Sequence, residues 1–367
     1  MRITQFQLLR FIQAFLCVII CVGCSGKANK SRLSERAESY FKSGNYDGAK
    51  IEYQNLLQAD PGNSVAIQRL GIICYETGAI IEALPYLLQS REIAPENLQA
   101  RIKLAQGLLS MGKNSDAREE AQAILEQSPD HAEAILLLAN TAMSTSEIKE
   151  TRGHLDTLDG SGNASVQLAT ATLALKEDDV ESAEKAVEQA VVEDPESAVA
   201  LVAQANFHWK NGRLEEAADD FKAAADLAPK RSAIQLKYAE FLAKTGSVEE
   251  SKAHLTSLVK AVPDYVAAWV LRARIALDEK RYDDVEIFLK NVAGRDPTNY
   301  DGHVLRAELL ILQNELPKAQ DHLEKLVDTY KKSHEVHYLL ARTCALRGDL
   351  NKAKTAITTA LELNPKH

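Results

Sequence analysis

An apolar helix face that halts at Asp-Pro-Gly-Asn, in LLQADPGNS at 56–64, returns as VVEDPESAV at 191–199, ADLAPKRSA at 225–233 and LELNPKH at 361–367. Proline cannot continue a helix and biases the residue before it towards extended backbone, so each return marks a helix end. Pro61, Pro95 and Pro129 are 34 residues apart, as are Pro195, Pro229, Pro263 and Pro297, and Pro365 falls two such steps later. In phase with them runs a series of small residues: Ala37, Gly71, Ala105, Ala139, Ala171, Ala205, Ala239, Ala273, Ala307 and Ala341. Twelve residues behind comes a second series, Ala49, Ala83, Ala117, Ala183, Ala217, Ala319 and Ala353, with Thr151, Ser251 and Val285 in its gaps. Between the two sits a turn residue that is glycine in six repeats: Gly44, Gly78, Gly112, Gly212, Gly246 and Gly348.

The pattern predicts pairs of antiparallel helices. Two helices joined by a tight turn come closest where both carry a small side chain, and the turn favours glycine for its access to positive φ. Tyr53, Leu87, Phe221, Leu255 and Leu289 would fill the space beside that contact. This 34-residue unit, in IQRLGIICYETGAIIEALPYLLQSREIAPEN for example, resembles the tetratricopeptide repeat over about residues 30–367. The resemblance implies an all-α solenoid of about ten repeats, a right-handed superhelix with its first helices lining a concave groove. Because no single pair buries its apolar faces alone, residues 31–367 are expected to form one solenoid.

Two irregularities stand out. The fourth repeat is two residues short, lacks the turn glycine across 146–163 and ends in Gly160-Ser161-Gly162; a local break or hinge and a rearranged loop are the two readings. The chain also stops at His367 without a polar capping helix. Either it is truncated, or a partner or second copy covers that face by self-association.

Residues 1–23 are a separate object. MRITQFQLLR carries two arginines and FIQAFLCVIICVG is apolar but short for a membrane span, which fits an export signal. CVGCSGK resembles a bacterial lipobox at Gly23 and Cys24, with Cys21 departing from the usual leucine. The resemblance implies a diacylglyceryl and acyl (palmitate-type) lipid on Cys24, a short linker over 24–30 and a membrane contact through that anchor. Ser25 is not the aspartate that resembles an inner-membrane retention signal, so an outer-membrane lipoprotein of a bacterial envelope, facing the periplasm, is expected. A plain secretory signal or an uncleaved anchor is the other reading. Of the cysteines beyond Cys24, Cys74 and Cys344 fall in apolar helix patterns and are expected to be buried thiols, not a disulfide.

The net charge of −9, or −11 once Arg2 and Arg10 leave with the leader, argues against a general nucleic-acid binder. GLLSMGKN imitates a P-loop through Gly107, Gly112 and Lys113, but Asn114 stands where Ser or Thr is needed and no strand precedes it. HEVH puts His334 and His337 within one turn, yet His337 occupies a place where Trp269 packs in another repeat, which reads as a core histidine. No nucleophile elbow occurs, and the one Cys-x-x-Cys pair, Cys21 and Cys24, lies at the end of the leader, so neither an enzyme nor a metal or cofactor site is expected, the lipid on Cys24 aside.

What remains is the groove. In repeats four to six the inward residues of the first helices are apolar, Leu136, Leu137, Met143, Leu168, Leu175, Val202 and Trp209, interrupted by Asn140 and Asn206. Lys210 follows Trp209, and Arg69 and Lys103 on one side, with Lys237 and Arg274 on the other, give basic margins. Such a strip suits an extended or helical peptide: apolar contacts for affinity, Asn for the peptide backbone, bases for acidic flanks. Trp209 is expected to be exposed. The family's carboxylate clamp is absent, with Ser34, Glu38 and Ile102 in its places; so is its asparagine ladder, with Leu137 and Ala203 in its places. The resulting expectation is a lipid-anchored protein-interaction scaffold, similar to tetratricopeptide-repeat lipoproteins of envelope, pilus and exopolysaccharide (PEP-CTERM type) systems. The alternatives are the regulatory part of a longer envelope glycosyltransferase or peptidase, and a polysaccharide-binding solenoid.

Overall fold

The structure, a computed structural model, describes residues 30–158 and 163–364. The leader over 1–23, Cys24, Gly160-Ser161-Gly162 and Pro365 to His367 lie outside the described residues.

Among the described residues there are twenty helices and no strand. They come in pairs: α1 (30–42) with α2 (Tyr46–Ala59), α3 (Ser64–Glu76) with α4 (Ile80–Ile93), α5 (Leu98–Ser110) with α6 (Asn114–Leu125), α7 (Ala132–Thr141) with α8 (Thr145–Leu155), and α9 (Ala164–Lys176) with α10 (Val180–Glu193). These five pairs belong to one compact unit, which runs to Pro195. A second unit begins at Glu196 and holds α11 (Ala198–Lys210), α12 (Leu214–Leu227), α13 (Ala233–Lys244), α14 (Val248–Ala261), α15 (Val266–Asp278), α16 (Tyr282–Arg295), α17 (Tyr300–Leu312), α18 (Leu316–Thr329), α19 (His334–Leu346) and α20 (Leu350–Leu363). The boundary between the two units coincides with a repeat boundary, and each holds five pairs among the described residues.

The two small-residue series sit where the pairs touch. Ala37, Ala105, Ala139, Ala205 and Ala239 of the first series, and Ala49, Ala83, Ala117, Thr151 and Ser251 of the second, are fully buried. Gly71 shows how close the approach is: a methyl group there would stand 2.8 Å from Leu87 Cδ2 and 3.2 Å from the Leu87 backbone nitrogen. Tyr53, Leu87, Phe221 and Leu255 fill the flanking space, all buried.

The recurring helix stop is also a helix start. Two residues after the proline an Asn or Ser caps the next helix: Asn63 Oδ1 accepts from Ala66 N at 2.9 Å, Asn97 Oδ1 from Ala100 N at 3.0 Å and Asn299 Oδ1 from Gly302 N at 2.9 Å. One short segment thus ends a repeat and begins the next.

The six turn glycines take φ from 72° to 98°. Where glycine is missing, Asp178, Lys280 and Asn314 adopt the same left-handed conformation, with φ 59°, 59° and 60°. A side chain there costs roughly 1–2 kcal/mol, least for Asn and Asp. Lys280→Gly is therefore expected to raise unfolding free energy by about 0.5–1 kcal/mol, the entropy of glycine offsetting part of the relief. Urea denaturation would measure it, and no gain would mean that the Lys280 turn is unstrained.

The fourth repeat departs from the rest in a different way from a hinge. Its first helix, α7, stops at Thr141, and Ser144 opens α8 with a reciprocal cap to Glu147. One buried cluster nevertheless runs from Ile102 and Ala121 through Leu138 and Ile148 to Val166 and Leu173, so the core is continuous across the irregular pair. The reading that fits is a rearranged turn, not a break.

Glu147 holds that turn. Its Oε2 accepts from Met143 N at 2.9 Å, Ser144 N at 2.8 Å and Ser144 Oγ at 2.9 Å. The two backbone bonds hold its carboxyl at about 2, well below the usual range. A carboxylate whose folded pKa is depressed stabilises the fold above its unfolded value, and that contribution disappears as pH falls through the folded one. The stability difference between the parent and Glu147→Gln should thus be full at neutral pH and shrink between about pH 4 and about pH 2. Denaturation at several pH values tests this; a difference that does not vary over that range would refute the turn's dependence on the anion.

Candidate functional site

The expected partner-binding side chains fall into two patches, one in each unit, at the C-terminal ends of first helices. In the N-terminal unit, Asn140 is exposed in the last turn of α7. Met143 is 66% exposed but lies beyond the helix, in the turn. Leu175 is 44% exposed at the end of α9. Lys176 joins the two ends by donating Nζ hydrogens to Asn140 O at 2.8 Å and Ala142 O at 2.6 Å. Burial lowers the Lys176 pKa, yet the ammonium completes carbonyls that the short helix leaves open. Leu136 is half-buried against the core, Leu137 is buried within it, and Leu168 is buried as well. Those last two serve packing, not a groove.

In the C-terminal unit, Asn206 and Lys210 are exposed on α11 and Lys237 on α13. Asn206 Nδ2 donates to Val202 O at 2.8 Å, within its own helix. Trp209 corrects the sequence expectation. It is half-buried, edge-on to Phe241 at 5.3 Å and to Phe221 at 6.2 Å, with Lys244 Nζ 6.0 Å above its ring. The indole belongs to the core and presents one edge. An aromatic body fills the gap left by alanines around it, which single-helix reasoning does not see.

The basic margins need the same correction. Arg69 pairs with Glu38 at 3.0 Å and stacks on Phe41 at 4.2 Å; Lys103 pairs with Glu76 at 2.9 Å beside Tyr75. Lys237 and Lys244 share Glu240, and Arg274 pairs with Glu308 of the next first helix. Arg69, Lys103 and Arg274 thus pair with acids of neighbouring first helices and stitch repeats together, while Lys237 is held by Glu240 of its own helix, so these cations serve the fold more than they await an acidic ligand. Lys210, in the last turn of α11, is exposed and bridges to none of them.

A recurrent hydrogen bond escaped the sequence reading. The fourth residue of several first helices reaches back to the preceding inter-repeat turn: Trp269 Nε1 donates to Pro263 O at 2.8 Å, His303 Nε2 meets Pro297 O at 2.9 Å and His337 Nε2 meets Lys331 O at 3.1 Å. A carbonyl only accepts, so each imidazole carries its proton on Nε2. His337 is buried, as its place beside Trp269 in the repeat implied, and acts as a turn tie. Cys74 and Cys344 are free and buried, and burial pushes the Cys74 thiol up to about 12, which makes it inert. Among the described residues no group of three or more His, Cys, Asp or Glu is placed to hold a metal ion, and no helix is long and apolar enough to cross a membrane.

Stacked helix pairs of fixed period, closed by small residues and glycine turns, define a repeat solenoid. A tetratricopeptide repeat model matches residues 75–141, 208–275 and 276–343, and related tetratricopeptide models match 35–63, 168–232 and 334–367. The chain belongs to the tetratricopeptide repeat family, whose members commonly bind protein or peptide partners and do not imply catalysis. No curated protein matches the sequence. Among solved structures it is similar to yeast Tom70, at 12% identity over 92% of each chain with a TM-score of 0.47. It is also similar to a tetratricopeptide repeat protein from Parabacteroides merdae, at 14% identity over 77% of this chain and 98% of that one, with a TM-score of 0.44. Neither likeness bears on function.

Proposed function

We propose that the protein is a non-catalytic interaction scaffold that binds a partner protein through exposed first-helix ends in each of its two units, tethered to a bacterial envelope membrane through a lipid on Cys24. One observation carries the reading. Asn140, Met143 and Leu175 in one unit, and Asn206 and Lys210 in the other, remain exposed at first-helix ends where packing does not need them. Amide groups beside exposed aliphatic side chains suit a peptide backbone with alternate apolar side chains. The ion pairs along the same face argue for a segment of low net charge. The tether rests on the charged and apolar leader and on Gly23-Cys24. Self-association through the last repeat belongs to the same reading, since α20 exposes Leu350 (71%), Leu361 and Leu363.

The test is site-specific photo-crosslinking in cells of the full chain. Probes at Leu175, Asn206 and Lys210 should capture one dominant envelope protein, with the adduct lost in Asn140→Ala/Asn206→Ala. Probes at Ile51 and Ile81, exposed on second helices, should not capture it. Equal capture at both sets would sink the groove assignment. For the tether, Cys24→Ser should abolish labelling by a fatty-acid analogue and release the protein from membranes; retention without label would overturn the lipid anchor.

A further inference from the structure

The second unit contains a cavity of about 550 Å³ between α16, α17 and α18, lined by none of the candidate partner-binding residues. That volume lies in the range of small-molecule sites. Its origin is visible one repeat earlier, because the junction between α14, α15 and α16 is the same junction 34 residues back and keeps only about 140 Å³. There Trp269 and Phe288 face each other with ring centroids 6.0 Å apart, inclined at 44°. Arg272 lies over both rings, at 5.1 and 4.2 Å, and Val259 closes the side.

At the later junction the same four places hold His303, His322, Arg306 and Ala293. The two imidazoles keep the geometry of the larger rings, with centroids 5.3 Å apart and inclined at 45°. Arg306 no longer stacks on rings and pairs with Glu286 instead. An aromatic-filled junction has been emptied, and its walls have been made polar on one side while Ile287, Leu289 and Val292 stay apolar on the other.

The polar groups define what would fit. His303 Nε2 and His322 Nε2 are committed to the carbonyls of Pro297 and His303, which leaves each Nδ1 as an acceptor. Asp296 is spent on Thr298 and Asn299, and Glu286 on Arg306. Lys290, exposed at the mouth, is a cation that these acids do not neutralise. We propose that this cavity binds a small planar aromatic molecule that bears one anionic group and a hydrogen-bond donor. The ring replaces the missing Trp and Phe surfaces, its donor meets an imidazole, and its charge meets Lys290.

The test titrates the full-length protein with anilinonaphthalene sulfonate, an aromatic anion with an N–H donor, by fluorescence and calorimetry. One saturable site is expected, with affinity falling as salt is added. The triple variant His303→Trp/His322→Phe/Ala293→Val restores side chains that the fold already accommodates one repeat earlier, and should weaken binding by at least about tenfold. Lys290→Glu, on the surface, should weaken it several-fold, whereas Val192→Ala, at an exposed position elsewhere, should leave it unchanged. Unaltered binding in the filled variant, with its melting temperature maintained, would overturn the site. Unaltered binding in Lys290→Glu would overturn the anionic class of ligand, and several unsaturable sites would overturn both.

Discussion

Phe221→Ala is expected to lower the unfolding free energy of the C-terminal unit by about 3–5 kcal/mol, the range for an aromatic ring removed from a core that cannot collapse. Phe221 is fully buried on α12. Its ring lies 4.9 Å from Phe241 on α13 and 6.2 Å from Trp209 on α11, and Trp209 meets Phe241 edge-on at 5.3 Å. Three helices from two repeats share this one contact, so the loss falls on both the pair and its junction. Around it stand Ala205 and Ala217, too small to move in and fill the space. In a solenoid each repeat leans on its neighbours, so the defect should lower the stability of the adjoining repeats as well. Urea denaturation followed by circular dichroism and by tryptophan fluorescence measures this. A loss below about 1 kcal/mol, the level of an ordinary substitution, would show that the three rings do not form a close-packed cluster. Val192→Ala, at a position 72% exposed, serves as the neutral comparison.

Removing Arg118 should cost about 2–4 kcal/mol, because a buried cation leaves several acceptors without a donor. The guanidinium, buried on α6, reaches across to the irregular fourth repeat. It donates to Leu138 O at 3.1 Å, to Thr151 Oγ1 at 3.1 Å and to Glu147 O at 3.4 Å, and it pairs with Glu150 at 3.2 Å. These acceptors run from the last turn of α7 to the middle of α8, on either side of the irregular turn. Arg118 from the repeat before and Lys176 from the repeat after thus supply donors that a regular turn would supply itself. Arg118→Met should destabilise the unit and expose the segment following α7 to limited proteolysis. Arg118→Lys should recover less than half of the loss, since one ammonium cannot reach four acceptors spread over a planar fork. Full rescue by lysine would mean that charge alone matters and that the fork does not organise the turn.

The fold itself was legible because its causes are local or strictly periodic. A positive-φ turn, a proline stop and an Asn cap each depend on a few successive residues. The two small-residue series declare the helix contact at any one repeat because they recur at the others. The buried state of His337, Cys74 and Cys344 followed from the same register. The candidate site was less legible. Asn140, Leu175, Asn206 and Lys210 are exposed, but Leu137 and Leu168 are buried and Met143 lies in a turn. The bases read as waiting for acidic ligands were already paired with glutamates about one repeat away or one turn along.

The sequence by itself therefore determined the helix pairs, their turns, their contact points and the number of repeats, since backbone geometry and period decide those. Only the tertiary structure decided which long side chains are spent. Trp209 became a core ring because Phe221 and Phe241 come to it from two other helices. Arg118 became the clamp of a repeat not its own. The cavity beside His303 and His322 emerged only when two junctions 34 residues apart could be compared in space. The physical reason is reach: a small residue is judged by the backbone it touches, whereas a long one is judged by whichever neighbour, a repeat away, arrives at its far end.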